Sequence, residues 1–420
     1  MDSIKITTLP NGLRVVTDTV SEVESVAAGV WVGVGTRNED LSANGAAHMV
    51  EHMLFKGTKT RDALQISEEV ENVGGYMNAY TSRELTSYNV HLLKDDLPLA
   101  MDVLADILQN SVMPDDEIDR ERGVILQEIG MCADTPDDIV FDHYYETAYA
   151  GQALGAPILG RSDIISSIAR ETLVDYVRRL YSPSRMVVSA AGNVDHDAFV
   201  EMVGGLFDHL PEDRESIKVP AAYTGGVHLS EKDLEQSHVV LGFDGISRQD
   251  DDFYTAQTLA TLLGGGMASR LFQEVREKRG LVYSIFGVHS GFSDGGQLFI
   301  YAGTGPEKLP ELIPVVCDQI NGLCGSITPQ ELARAKAQQK ASTLIARESM
   351  GTRADQNAKS LLLHGHVRRA EEIVRAYDAV DMEALERVAR RIFASSPTLS
   401  ALGPLQTLED FDAIKRRLAA

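Results

Sequence analysis

The chain repeats itself at an offset of about 212 residues, and a duplication restricts a fold strongly because one supersecondary unit must serve twice. Leu97-Pro98 opens a predicted helix with Ala100, Val103, Leu104, Ile107 and Leu108 on one face, and Leu309-Pro310 opens another with Leu312, Val315, Val316 and Ile320. Residues 113–120, M-P-D-D-E-I-D-R, match 328–334, T-P-Q-E-L-A-R, each a proline-led helix start. Residues 171–184 match 383–397, and each segment runs on into a short apolar stretch closed by Gly192 or Gly403. Strand-like runs at 25–35, 87–93 and 187–191 are mixed with helices that do not follow every strand. The pattern predicts an α+β fold: two tandem homologous α/β-roll domains, each a mostly antiparallel sheet with helices packed on one face. The expected boundaries are 1–212 for the first domain, 213–225 for a polar linker punctuated by Pro and Gly, and 226–420 for the second. Strand order is not readable from these patterns.

With 420 residues, 44% of them hydrophobic and 24% charged, the chain has material for two ordinary cores and none to spare for wholesale disorder. Sixty-two acidic against 39 basic residues leave a net charge of -23, which repels nucleic acid and anionic membrane and leaves basic peptides as possible partners. The longest mostly apolar uncharged run, 26–35, falls far short of the ~20 residues that span a bilayer, so no membrane span is expected. Cys132, Cys317 and Cys324 cannot form a disulfide framework, which favours a reducing compartment. The opening M-D-S-I-K-I-T-T-L-P-N-G goes straight into strand and turn chemistry without a charged-then-apolar leader, and a cytoplasmic location is expected.

The sharpest motif is G-A-A-H-M-V-E-H-M-L-F-K-G-T, with no helix breaker between Ala46 and Phe55. On a helix His48 and His52, four apart, lie one turn apart on one face, so both imidazoles reach one metal ion. Glu51 stands beside them, placed to take a proton from metal-bound water, in the reverse of the H-E-x-x-H order. The bland alternative is two unrelated histidines. A catalytic zinc site takes three protein ligands and keeps a fourth position for water. The best third candidate lies in R-E-R-G-V-I-L-Q-E-I, where Glu121 and Glu128 are seven residues apart on one helix face. Glu128 would ligate, and Glu121 would orient a ligand histidine through its other ring nitrogen. Taken alone, this helix reads first as an acidic stripe facing water, since Glu is common on helices.

H-M-V-E-H-M-L-F-K-G-T, followed 76 residues after its last His by Glu128, closely resembles the pitrilysin/insulinase-type inverted zincins, and most closely their mitochondrial processing peptidase-like branch. The likeness covers nearly the whole chain, including L-P-N-G-L-R-V-V, V-G-T-R-N-E-D and N-A-Y-T-S-R-E. It implies a zinc endopeptidase with Zn2+ ligands His48, His52 and Glu128, the general base Glu51, and Glu121 as support behind the ligands. It also implies that Asn78, Ala79 and Thr81 bind substrate backbone by strand addition. Arg276 would hold substrate backbone, and Tyr283 would donate to the oxyanion from a dry site. The resemblance further implies an enclosed chamber that admits short or unfolded peptides. With the zinc motif and the Arg276/Tyr283 pair in one chain, a homodimer is expected. The alternative within the same fold is a noncatalytic scaffold or core subunit, which the intact motif residues argue against.

The second half supplies no metal set of its own. Ser342 stands opposite Glu128 in the repeat register, and T-L-A-T-L-L-G-G-G from Thr258 occupies the place of the histidine motif. Gly264, Gly265 and Gly266 lack the Lys-Ser/Thr of a phosphate loop and are expected to form a flexible turn before a helix. His364 and His366 have no acidic or thiolate neighbour in sequence to complete a site.

Overall fold

The structure is a computed structural model that describes residues 3–212 and 219–419, so residues 213–218 of the expected linker lie outside the described residues. Strands β1 (Ile4–Thr8), β2 (Arg14–Thr19), β3 (Ser25–Val32), β4 (Tyr76–Thr81), β5 (Thr86–Leu93) and β6 (Met186–Gly192) form one sheet in the order β1-β2-β6-β3-β5-β4. Strands β7 (Gly226–Glu231), β8 (Ser237–Asp244), β9 (Ser284–Gly291), β10 (Gly296–Thr304) and β11 (Thr398–Gly403) form a second in the order β7-β11-β8-β10-β9. Without β1 the two orders are one topology written twice. Arg14, Ser25 and Met186 open β2, β3 and β6, and Gly226, Ser237 and Thr398, each 212 positions on, open their counterparts. Pairing is antiparallel except for β2 with β6 and β7 with β11.

The helices that cover these sheets include α1 (Ala46–Leu54), α2 (Leu97–Asn110), α3 (Asp115–Asp134), α4 (Pro136–Ala148), α5 (Arg170–Leu180), α6 (Phe253–Gly264), α7 (Leu309–Asn321), α8 (Met350–His364) and α9 (Met382–Phe393). In the first sheet Val26, Ala28, Val30 and Val32 of β3 face a core shared with α1, α2 and α5. In the second, Val239, Leu241 and Phe243 of β8 face a core shared with α6, α7 and α9. The alternation of strand side chains sends Ala27 and Trp31 to the other face of the first sheet. That second face is covered as well, which explains why β3 reads as a continuous apolar run and not as a half-buried strand.

The second-face helices correct the expected domain boundaries. One compact unit comprises Met1–Gly130, Ala156–Val219 and Ile345–Arg368, the other Met131–Gly155, Pro220–Leu344 and Arg369–Ala420. A single cut between 1–212 and 226–420 therefore does not describe them. In the first unit α8, from the second half of the sequence, lays Ala354, Ala358 and Leu361 against Val16, Trp31, Val187 and Ala191. In the second unit α4, from the first half, lays Val140, Tyr144 and Ala148 against Val240, Phe299, Tyr301 and Leu402. Matching hydroxyls seal both: Ser189 Oγ donates to the Ala354 carbonyl at 2.9 Å, and Ser400 Oγ donates to the Val140 carbonyl at 2.9 Å. The physical reason for the exchange is that each sheet has two apolar faces and its own half of the chain covers one. Among the described residues no helix is long and apolar enough to cross a membrane.

Candidate metal centre

Helix α1 starts at Gly45, whose φ of 96° is left-handed and whose added Cβ would lie 2.6 Å from Ile165 Cδ1. The N-terminus is capped from outside the helix by buried Glu39, which accepts from the N–H groups of Gly45 at 3.0 Å and Ala47 at 2.7 Å and from Asn44 Nδ2 at 3.1 Å. Burial pushes the Glu39 carboxyl up to about 8 against these three donors. Ala46, Ala47, Met49, Val50, Met53 and Leu54 anchor the helix in the core, which leaves His48, Glu51 and His52 on the remaining face.

Helix α3 brings Glu128 to the two histidines. Its Oε2 lies 3.7 Å from His48 Nε2 and 3.9 Å from His52 Nε2, and ligand atoms of all three residues fall within 4.8 Å of one another. These separations exceed a hydrogen bond, so the lone pairs are not spent on each other. Burial, then the neighbouring His52, lowers His48 to about 4, which leaves a neutral imidazole with a lone pair to give at neutral pH. Two imidazoles and one carboxylate around a common point are a donor set that fits zinc.

Behind the ligands, His52 Nδ1 meets Glu121 Oε2 at 2.8 Å, and Lys56 Nζ meets Glu121 Oε1 at 2.7 Å. Burial works to raise the Glu121 carboxyl, but the bonds from Lys56 and His52 outweigh it and hold it below the usual carboxylate range. Glu128 thus stands near both Nε2 atoms, and Glu121 meets His52 at Nδ1. Burial raises Glu51 above its ordinary value, opposed by the Thr81 hydroxyl, which donates to Glu51 Oε2 at 2.5 Å.

Thr81 ends β4, which is at the sheet edge and pairs only with β5 among the described residues. Alternation puts Met77, Ala79 and Thr81 on the face of α1 and sends Asn78 and Tyr80 to the opposite one, where the Tyr80 hydroxyl donates to Asp355 at 2.5 Å. Of the residues expected along the edge, Ala79 and Thr81 thus share the face of α1, while Asn78 alternates to the other face and still lines the cavity beside Glu51 and His52. A cavity of about 370 Å3 opens beside Glu51 and His52, walled by Phe55, Val70, Met77 and Ala79. Sequence reasoning missed three residues here, Glu39, Lys56 and the Thr81 hydroxyl as a partner of Glu51. For Lys56 the only signal was its place one turn past His52, and Glu39 and Thr81 act through contacts that no local spacing encodes.

Arg276 and Tyr283 belong to the other unit, where the Arg276 guanidinium sits 5.5 Å from the Tyr283 ring centroid and 4.8 Å from that of Phe272. Arg276 lies on a π-helical turn, Phe272–Glu277, a feature concentrated at functional sites. Tyr283 is 77% exposed. Gly264 closes α6, and a turn follows it. Among the described residues the one group of three or more His, Cys, Asp or Glu side chains placed to share a metal ion is His48, His52 and Glu128.

Fold and site define a two-sheet α+β protein with a two-histidine, one-carboxylate centre. A family model described as insulinase (peptidase family M16) matches residues 14–162, and one described as the peptidase M16 inactive domain matches 167–339. An uncharacterized zinc protease of Streptomyces coelicolor is 39% identical over 96% of this chain and 90% of its own length. One of Bacillus subtilis is 37% identical over 96% of this chain and 98% of its own. The crystal structure of a protease from Helicobacter pylori is similar with a TM-score of 0.88 at 25% identity, covering 96% of this chain and 99% of that one. Complex III2 from Candida albicans, at 21% identity, a TM-score of 0.87 and 99% coverage of both chains, shares the fold alone. The chain belongs to the insulinase family, peptidase family M16.

Proposed function

We propose that this chain is a zinc-dependent endopeptidase that hydrolyses short or unfolded peptides. The observation that carries the reading is the convergence of His48, His52 and Glu128 with Glu51 beside them, next to the open edge of β4. Zinc, when bound by the two Nε2 atoms and the Glu128 carboxylate, lowers the pKa of a water and polarises the scissile carbonyl. Glu51 takes the water proton at its carboxylate and returns it to the leaving amine. The outer edge of β4 pairs with extended substrate backbone, a mode that reads main chain more than side chains and excludes a folded segment. Arg276 and Tyr283 hold substrate backbone and the oxyanion respectively, and the enclosed chamber implied by the resemblance provides the dry surroundings that an exposed phenol lacks. The competing reading, a noncatalytic scaffold of the same fold, is disfavoured by the complete ligand set and its supports.

The same reading includes a homodimer, because one chain carries both residue sets, and a cytoplasmic setting, with which three free cysteines agree. The net charge of -23 supports a preference for basic peptides. The deciding experiment compares wild type with Glu51→Gln for zinc content and for cleavage of quenched peptides. Glu51→Gln is expected to keep its zinc and lose cleavage, and a chelator is expected to stop the wild type. A Glu51→Gln protein that still cleaves would overturn the mechanism. Light scattering that finds only monomer at working concentration removes the dimer, and equal cleavage of Arg-rich and neutral peptides at low salt removes the charge preference.

A further inference from the structure

Lys56 has no part in the chemistry above, yet it is placed with care. Glu121 is 5% exposed, and both its oxygens are engaged, Oε2 by His52 Nδ1 at 2.8 Å and Oε1 by Lys56 Nζ at 2.7 Å. A carboxylate removed from water is costly unless it is paired, and one fastened at a single oxygen is free to swing. We propose that Lys56 is a positioning residue for the metal ligand His52, acting through Glu121. The ammonium fixes one carboxylate oxygen, the other oxygen fixes the Nδ1–H of His52, and Nε2 is thereby turned toward Glu128. The inference rests on the zinc centre proposed above.

The support for Lys56 is itself rigid. Its N–H donates to the Met53 carbonyl at 3.1 Å, at the end of α1. Just beyond it, the buried Asp106 carboxylate accepts from Thr58 Oγ1 at 2.7 Å, Thr60 Oγ1 at 2.8 Å and Arg61 Nη1 at 3.0 Å, which pins the loop that carries Lys56 to α2. A lysine retained for solubility would extend into water, whereas this side chain is 29% exposed and turned inward to Glu121. A substrate contact is the rival role, since Lys56 also lines the cavity. It would alter KM and leave metal affinity unchanged.

The test is zinc affinity, measured by competition with a chromophoric chelator, for wild type, Lys56→Met, Lys56→Arg, Glu121→Gln and the Lys56→Met/Glu121→Gln pair. The urea midpoint of each metal-free protein checks folding, and Lys56→Gln stands in if Lys56→Met does not fold. Lys56→Met is expected to bind zinc about 10–100-fold more weakly, and Lys56→Arg to recover most of the loss because it keeps the charge-assisted bond. Glu121→Gln is expected to cost much less in the Lys56→Met background than in wild type, since both changes remove one support. Wild-type zinc affinity in Lys56→Met, or losses that simply multiply, would overturn the inference and leave the zinc centre standing. A wild-type chain that takes up no zinc overturns the centre and the inference with it.

Discussion

A single hydroxyl governs the surroundings of Glu51. Thr81 donates to its carboxylate at 2.5 Å, and a hydrogen bond to a charged group is worth about 1.5–3 kcal/mol. Thr81→Val is therefore expected to lower kcat about 10–100-fold with KM and zinc content little changed, and Thr81→Ser to restore most of it. A rise in KM at constant kcat would return Thr81 to the substrate-binding role that the resemblance implies. His289 is a second buried group whose protonation state matters, here to stability. It is 3% exposed, its Nε2 accepts the Ile246 N–H at 3.0 Å, and burial holds it down to about 4. A folded value below the unfolded ~6.5 means that its contribution is present above that pH and is lost as pH falls toward 4. The loss is on the order of 3 kcal/mol. Urea midpoints of wild type and His289→Asn, compared across that window, should converge on acidification, and parallel curves would refute the assignment.

The exchanged helix α8 and the residues just before it are tied to the first sheet by buried polar contacts. Asp18 on β2 is fully buried, and its Oδ2 accepts from Arg347 Nη2 at 3.0 Å and Arg353 Nη1 at 3.1 Å. Trp31 Nε1 and the Tyr80 hydroxyl both donate to Asp355 on the same helix. Removing one member of a buried ion cluster typically costs about 3–5 kcal/mol, because the remaining charges stay out of water without a partner. Asp18→Ala is expected to lower the unfolding free energy by about that amount in a denaturant titration, and a loss under about 1 kcal/mol would show that the cluster contributes little. Ala354, Ala358 and Leu361 of α8 fall at one-face helical spacing, but their destination was not legible, because amphipathicity states that a face must be buried and not against which sheet. Helix α1 was legible with its histidines in place, whereas its cap at Glu39 was not, because that residue folds back across a loop.

At the scale of the whole molecule the exchange makes a prediction about fragments. Residues 1–212 lack α8, leaving Trp31, Val187 and Ala191 uncovered, and retain α4, whose Val140, Tyr144 and Ala148 have no sheet to meet. That fragment should melt without a cooperative transition by circular dichroism, and adding 219–420 should restore one; a sharp transition in 1–212 alone would sink the idea. The sequence by itself determined the duplication, the two mixed α+β sheets, the histidine pair on one helix turn, and the placing of Glu121 and Glu128 two turns apart on one helix face, their separate roles being what the resemblance implies. Each is set by local periodicity or by spacing along one helix, which the order of residues records directly. Only the tertiary structure decided the strand order, the crossing of α4 and α8 between units, the bond from Thr81 to Glu51, and the reach of Lys56 to Glu121. Those depend on which distant segments pack together, and that is settled by the summed burial of whole faces and the pairing of buried charge, quantities that no short stretch of chain contains.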